Sequence, residues 1–316
     1  MTKKVVDISA SVRQRLLNLA KENNEDFQFA LTRFALERLL YRLSQSEFRE
    51  QFILKGAMLF PLWGGTPHRV TRDLDLLGFG ESSIGRLVEV FQSVCLTRVE
   101  EDGIVFVPDS VSGMDIREEQ EYDGVRVTLE ARLGVARIHL QVDIGFGDVV
   151  TPAPNDADYP TLLDFPTPYL RVYPQETVVA EKFQAMVHLG MANSRMKDFY
   201  DIWIMGKTFP FEGEKLTRAI SATFSRRRTS LPDQLPLALT AEFFDDPAKQ
   251  TQWRAFIKRN QLAPTETLLP AVVEAICGFL MPPTDTIVKG ERFDFHWTPS
   301  GPWRRAVTLN QPGLDV

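Results

Sequence analysis

The chain has 316 residues, of which 44% are hydrophobic and 25% charged, and carries a net charge of −6. This is the composition of a soluble globular protein with room for two domains, and its acidity argues against a general nucleic-acid binder with a phosphate-wide footprint. No run of about 18 consecutive apolar residues is present, so no membrane span is expected.

The N-terminal Met1 to Asp7 lacks an apolar signal core, and the cytoplasm is the expected compartment. The two cysteines, Cys95 and Cys277, lie in separate apolar runs, which suits buried thiols in a reducing compartment rather than a disulfide or metal framework.

In chain order, residues 9–22 carry apolar positions at helical spacing behind Ser9 as a candidate N-cap. Residues 26–43 repeat that spacing, with Phe27, Leu31, Phe34, Ala35, Leu39 and Leu43 on one stripe. The two define a helical N-terminal segment over 1–50, and 48–61 reads as a further helix or turn.

Strands are predicted at 72–78, from 104–107 onward, and at 124–131 pairing with 136–144 across a Leu133-Gly134 break. A helix over 83–94 sits among them. Together they predict an α+β core over 51–150.

Residues 151–173, with Pro152, Pro154, Asp156, Asp158, Pro160 and Asp164, read as a linker. Helices follow at 175–190, 194–207, 213–225, 234–244, 247–260 and 265–280, with Pro282-Pro283 ending the last. They predict a helical C-terminal domain over 174–283. The tail 284–316 holds Phe293, Phe295, Trp297 and Trp303, and is expected to pack as extended chain.

Asp73-Leu74-Asp75 is the most chemical feature of the sequence. Carboxylates at i and i+2 of a strand point to one face, and such close like charges repel unless a cation lies between them. A solvated strand edge is the plain alternative. A third acid favours the metal: Asp143 lies between Val142 and Ile144 near the end of a predicted strand, where an unmet carboxylate would be costly. Three strand-borne acids at one sheet edge predict a Mg²⁺ centre. Two ions about 3.5–4 Å apart there could clamp the attacking and leaving oxygens of a phosphoryl transfer.

Further along, Arg195, Asp198 and Asp201 recur at i, i+3 and i+6, which is either an exposed ion-pair ladder or a charged stripe facing an enclosed polar space. Lys182 lies beside Glu181 in an otherwise apolar helix, where a lysine can snorkel to the surface or serve as a point charge on a triphosphate. Arg226-Arg227-Arg228 and the cluster Arg254, Lys258, Arg259 are the basic patches, read either as solvated faces or as RNA contacts. The four histidines show no metal spacing.

The Lys55-Gly56-Ala57 turn, then Asp73-x-Asp75, then an aspartate on a later strand resembles the DNA polymerase β-like nucleotidyltransferase superfamily. Four blocks in order are similar to the AbiEii/AbiGii toxin family: residues 52–57 and 69–76, then 178–183 and 194–202. The resemblance covers roughly residues 1–210. It implies a nucleotidyltransferase-like mixed sheet with helical segments on either side.

It further implies that the turn of Lys55, Gly56 and Ala57 cradles nucleotide phosphates and that Asp73, Asp75 and Asp143 bind two Mg²⁺ ions. Lys182, with Arg69 and Arg72, would neutralise the triphosphate, and Asp198 would orient Lys182 or the attacking hydroxyl. Arg195 and Asp201 belong to the same nucleotide-binding set. The superfamily's usual Gly-Ser or Gly-Gly is Gly56-Ala57 here, so backbone N–H groups replace a serine hydroxyl.

The resemblance implies the toxin of a type IV toxin–antitoxin or abortive-infection system. Such a toxin would transfer a nucleotide from an NTP to an RNA acceptor, tRNA first among them, and be neutralised by a separately encoded antitoxin. The alternatives are the same core acting on a protein or small-molecule hydroxyl, and a non-catalytic binding protein.

Overall fold

The computed structural model describes residues 7–64, 71–117, 123–262 and 268–305. The chain divides into two compact units, one of residues 1–148 with 154–173 and the other of residues 149–153 with 174–316.

In the first unit the order is α1 (Ile8–Glu22), α2 (Phe27–Ser44), β1 (Phe52–Lys55), α3 (Phe60–Gly64), β2 (Asp73–Gly78), α4 (Ile84–Leu96), β3 (Ile104–Arg117), β4 (Asp123–Leu133), β5 (Ala136–Phe146), β6 (Asn155–Asp158) and β7 (Tyr169–Val172). Among the described residues these strands form one mixed sheet in the order β3-β4-β5-β2-β1-β7-β6. Strand β2 runs parallel to β5, and β1 parallel to β7.

Strand β5 alternates cleanly. Ile138, Leu140, Val142 and Ile144 are buried, while His139 is exposed and Gln141 and Asp143 are half-buried on the opposite face. Helices α1, α2 and α4 contact β4, β5 and β3. The N-terminal helices are therefore part of the sheet's hydrophobic core rather than a separate lobe.

Several expectations change here. Helix α1 is capped by Asp7, whose carboxylate accepts from Ala10 N–H; Ser9 instead donates to Gly103 O at 2.8 Å. The stretch 48–61 contains strand β1 rather than a helix leading into Gly56. Phe52, Ile53 and Leu54 of β1 are all buried, side chains of both sheet faces included, so no strand alternation marks it. Residues 151–173 are no plain linker, since β6 and β7 lie within them and extend the sheet. Only four residues each, these strands are too short to stand out among the prolines.

The second unit holds α5 (Gln175–Leu189), α6 (Met196–Thr208), β8 (Phe211–Glu212), α7 (Gly213–Arg226), α8 (Ala241–Phe244), α9 (Pro247–Arg259), α10 (Leu269–Lys289), β9 (Phe295–Trp297) and β10 (Trp303–Arg305). Its core is rich in aromatic pairs: Phe183 meets Phe224 at 5.4 Å and Phe279 meets Trp297 at 4.9 Å, both tilted, while Phe199 stacks on Phe243 at 5.2 Å. The predicted 234–244 helix is a short 3₁₀ turn at 237–239 followed by α8, with Thr240 extended between them.

Pro282 and Pro283 do not end α10, which runs through both. A mid-helix proline leaves the carbonyl four residues earlier without its N–H. For Pro283 that carbonyl is Phe279 O, which accepts from Trp303 Nε1 at 2.9 Å; Gly278, four residues before Pro282, is exposed to water. The predicted extended tail thus begins inside α10, and Phe295, Trp297 and Trp303 lie in β9 and β10, which join β8 in a small sheet. Helix α10 is long and apolar enough to cross a membrane by composition alone, and it packs against α6 and α7.

Candidate active site

Register builds the site in the first unit. Lys55 pairs with Asp75 across the antiparallel β1–β2 ladder, Asp75 with Asp143 across parallel β2–β5, and Asp143 with Arg126 across antiparallel β5–β4. Directly opposed residues share a face, and neighbouring strands lie about 4.8 Å apart. One row across the sheet therefore reads cation, acid, acid, cation. Asp73, two residues before Asp75, falls in the next row beside Gln141 and on the same face.

Carboxylate oxygens of Asp73, Asp75 and Asp143 lie within 4.8 Å of one another. All three are half-buried. Hard oxygen donors in this number suit a divalent cation.

The Gly56 turn shapes the same centre. Gly56 has φ +74°, a left-handed conformation that L side chains rarely adopt, and a Cβ there would fall 2.0 Å from Asp75 Oδ2. The missing side chain is thus what lets the Asp75 carboxylate lie against the turn. Lys55 Nζ is 3.3 Å from Asp148 Oδ2 and 5.9 Å from the Tyr173 ring centroid. Ala57 is buried and Arg72 exposed. The expectation for Arg69 lies outside the described residues.

Side chains absent from the sequence reading hold the acids in place. Thr71 Oγ1 donates to Asp73 Oδ1 at 2.6 Å. Arg126 donates from Nε and Nη2 to the two oxygens of Asp143, both at 2.8 Å, and Gln141 Nε2 reaches the same oxygens at 3.2 and 3.1 Å. The hydrogen bonds to Asp143, with the charges of Asp73 and Asp75, hold the Arg126 guanidinium above its ordinary pKa. Thr71 and Gln141 were within reach of strand parity, each standing two residues before an aspartate. Arg126 is found only through the β4–β5 register.

In the second unit, Lys182 Nζ lies 2.6 Å from Asp198 Oδ1 and 2.9 Å from Asp201 Oδ2, and Arg195 Nε lies 3.3 Å from Asp198 Oδ2. Asp198 and Asp201 are buried, so they are no solvated ladder. Arg195 stands at the N-cap of α6, ahead of the helix rather than on its face. Burial alone would raise the Asp198 carboxyl, but Lys182 and then Arg195 outweigh it and hold it below its ordinary range.

Within the basic run, Arg227 turns inward, donating to Gln184 Oε1 at 2.9 Å and lying 3.5 Å from Glu181 Oε2. Arg254, Lys258 and Arg259 are exposed on α9. Cys95 is buried and Cys277 partly so, and burial pushes their thiols up to about 12 and about 11.

A mixed sheet that gathers three carboxylates on one polar face, with a glycine turn against them, defines a scaffold able to hold a metal. The chain matches the family model of the nucleotidyl transferase AbiEii toxin, type IV TA system, over residues 38–286, and it belongs to that family of nucleotidyltransferase toxins. The family places it in a type IV toxin–antitoxin system, with a cognate antitoxin implied.

Two solved structures from Helicobacter pylori are similar. One is assigned as a nucleotidyltransferase (15% identity, TM-score 0.47, covering 82% of this chain and 96% of that one). The other is JHP933 (15% identity, TM-score 0.46, covering 81% and 94%). No curated protein matches the chain.

Proposed function

We propose that this toxin transfers a nucleotide from an NTP to an RNA 3′ hydroxyl, the hydroxyl oxygen bonding to the α-phosphorus as the α–β phosphoanhydride bond breaks and pyrophosphate leaves, with tRNA as the acceptor and Mg²⁺ as the cofactor, and that it does so in the cytoplasm. The single observation that carries the reading is the convergence of Asp73, Asp75 and Asp143 from two parallel strands to within 4.8 Å. Their all-oxygen donor set and the side-chain-free approach at Gly56 fit a hard divalent ion.

Asp73 and Asp75 would hold the ion on the phosphate side and Asp143 that on the hydroxyl side. Mg²⁺ bound there would screen phosphate charge and make the acceptor hydroxyl easier to deprotonate. Thr71 fixes the rotamer of Asp73 through its 2.6 Å bond. The Gly56-Ala57 turn offers backbone N–H groups to phosphate oxygens. Lys182 is assigned to the triphosphate on the family pattern. Asp198 and Asp201 hold its ammonium in one place, which fits a point charge rather than a snorkelling chain. Exposed Arg254, Lys258 and Arg259 are the basic surface we assign to RNA.

The test incubates purified protein with Mg²⁺, each labelled NTP in turn and total tRNA. Label on tRNA, lost in Asp73→Ala and Asp75→Ala variants that keep their circular dichroism, supports the proposal. Label on protein or a small molecule redirects the acceptor. No transfer at all, with Asp73→Ala retaining toxicity in cells, refutes the enzyme reading of this site.

A further inference from the structure

Both carboxylate oxygens of Asp143 are occupied. Arg126 takes each through a separate N–H at 2.8 Å, and Gln141 adds contacts at 3.2 and 3.1 Å. A guanidinium fork matched to a carboxylate is a strong, charge-assisted competitor for a metal, and with the two Gln141 contacts it engages the lone pairs the ion needs.

The competitor is also placed to move. The Arg126 side chain is 35% exposed, and among the described residues its cross-strand neighbour on β3 is Met114, itself 56% exposed. The buried Arg42–Asp102 pair of this unit looks different. Arg42 binds Asp102 at 2.8 and 3.1 Å with both side chains under 10% exposed, and it reaches two backbone carbonyls as well.

We propose that Arg126 is the resident counter-ion of the carboxylate centre. It neutralises Asp143 while no divalent ion is bound, yields those oxygens when one binds, and then offers its fork to a phosphate oxygen of the nucleotide. The inference rests on the metal centre proposed above. It makes metal and nucleotide binding mutually reinforcing, since the phosphate gives the displaced guanidinium a new anion. An arginine with a merely structural role would couple neither event.

The experiment measures Mn²⁺ binding by calorimetry and electron paramagnetic resonance, with and without a non-hydrolysable NTP analogue, for the wild type, Arg126→Gln and Asp75→Asn. Arg126→Gln is expected to bind Mn²⁺ on the order of tenfold tighter in the absence of nucleotide, and to lose most of the tightening that the analogue produces in the wild type. Equal or weaker Mn²⁺ affinity in Arg126→Gln, while the wild type binds and Asp75→Asn does not, overturns the inference and leaves the metal centre standing. No binding in the wild type and in Arg126→Gln alike overturns both.

Should Arg126→Gln not fold, the Arg126 Nε–H resonance of the wild type supplies the answer. A shift on Mg²⁺ titration supports displacement. An unmoved resonance at saturating Mg²⁺ refutes it.

Discussion

Gly56→Ala isolates the geometry on which the carboxylate centre depends. Two costs are separable. The first is conformational: at φ +74° an L side chain costs about 1–2 kcal/mol, which lowers Tm by a few degrees in a unit of this size. The second is local. The new Cβ would stand 2.0 Å from Asp75 Oδ2, against the 3.0 Å that real Cβ contacts respect, so the carboxylate must withdraw by about 1 Å.

Asp75 is fixed in β2 and opposed to Asp143, so that withdrawal spoils the cluster, and a misplacement of this size costs on the order of 10²-fold in rate. Gly80→Ala is the matched control. It has φ +92° with nothing within 4 Å of its Cβ, so it bears the first cost without the second. Thermal melts of the two variants should be similar, while nucleotide transfer and Mn²⁺ affinity should fall only in Gly56→Ala. Equal activity in the two variants would refute the reasoning.

Two further predictions concern buried charge. Lys182→Met leaves Asp198 and Asp201 buried without their lysine, and is expected to destabilise by about 3–5 kcal/mol. In the wild type the depressed Asp198 carboxyl contributes stability above its ordinary titration range and loses it as pH falls through its lower folded value. In the variant the largest opposing charge is gone while burial and Arg195 remain, so the carboxyl is expected to rise and the loss of stability at low pH to shrink. Urea unfolding followed from about pH 2 to 8, across and below the ordinary carboxylate range, should show the change of slope, and parallel pH profiles would contradict it.

Glu37, 1% exposed in α2, is pushed by burial from 4.5 up to about 7, against the opposing pull of Leu162 N–H and Arg38. A raised carboxyl contributes stability that is complete below 4.5 and lost as pH climbs to about 7, here at most roughly 3 kcal/mol. Glu37→Gln should flatten that decline. An unchanged pH dependence of unfolding would show that Glu37 does not cause it.

What could be read ahead of the structure was what local periodicity encodes. Strand β5 alternates Ile138, Leu140, Val142 and Ile144 with polar residues because one face is buried and the other is not, so both the strand and the side on which Asp143 projects were legible. Helices α1, α2, α4, α5 and α7 carry the same kind of one-dimensional signal. Strand β1 carries none, because a strand buried on both faces has no alternation to show. Helix α10 contradicts the local rule at Pro282-Pro283, because the N–H lost at Pro283 is made good by Trp303, which lies 24 residues from Phe279.

The amino-acid sequence by itself determined the residue types of the centre and their parity: two acids on β2, a third on β5, a glycine where no side chain fits. Tertiary structure alone decided their partners. Strand register set Asp75 beside Asp143 and brought Arg126 to it from β4, and the packing of α5 and α6 closed Lys182 onto Asp198 and Asp201. Register and packing pair residues far apart in the chain, so no window of neighbouring residues contains them.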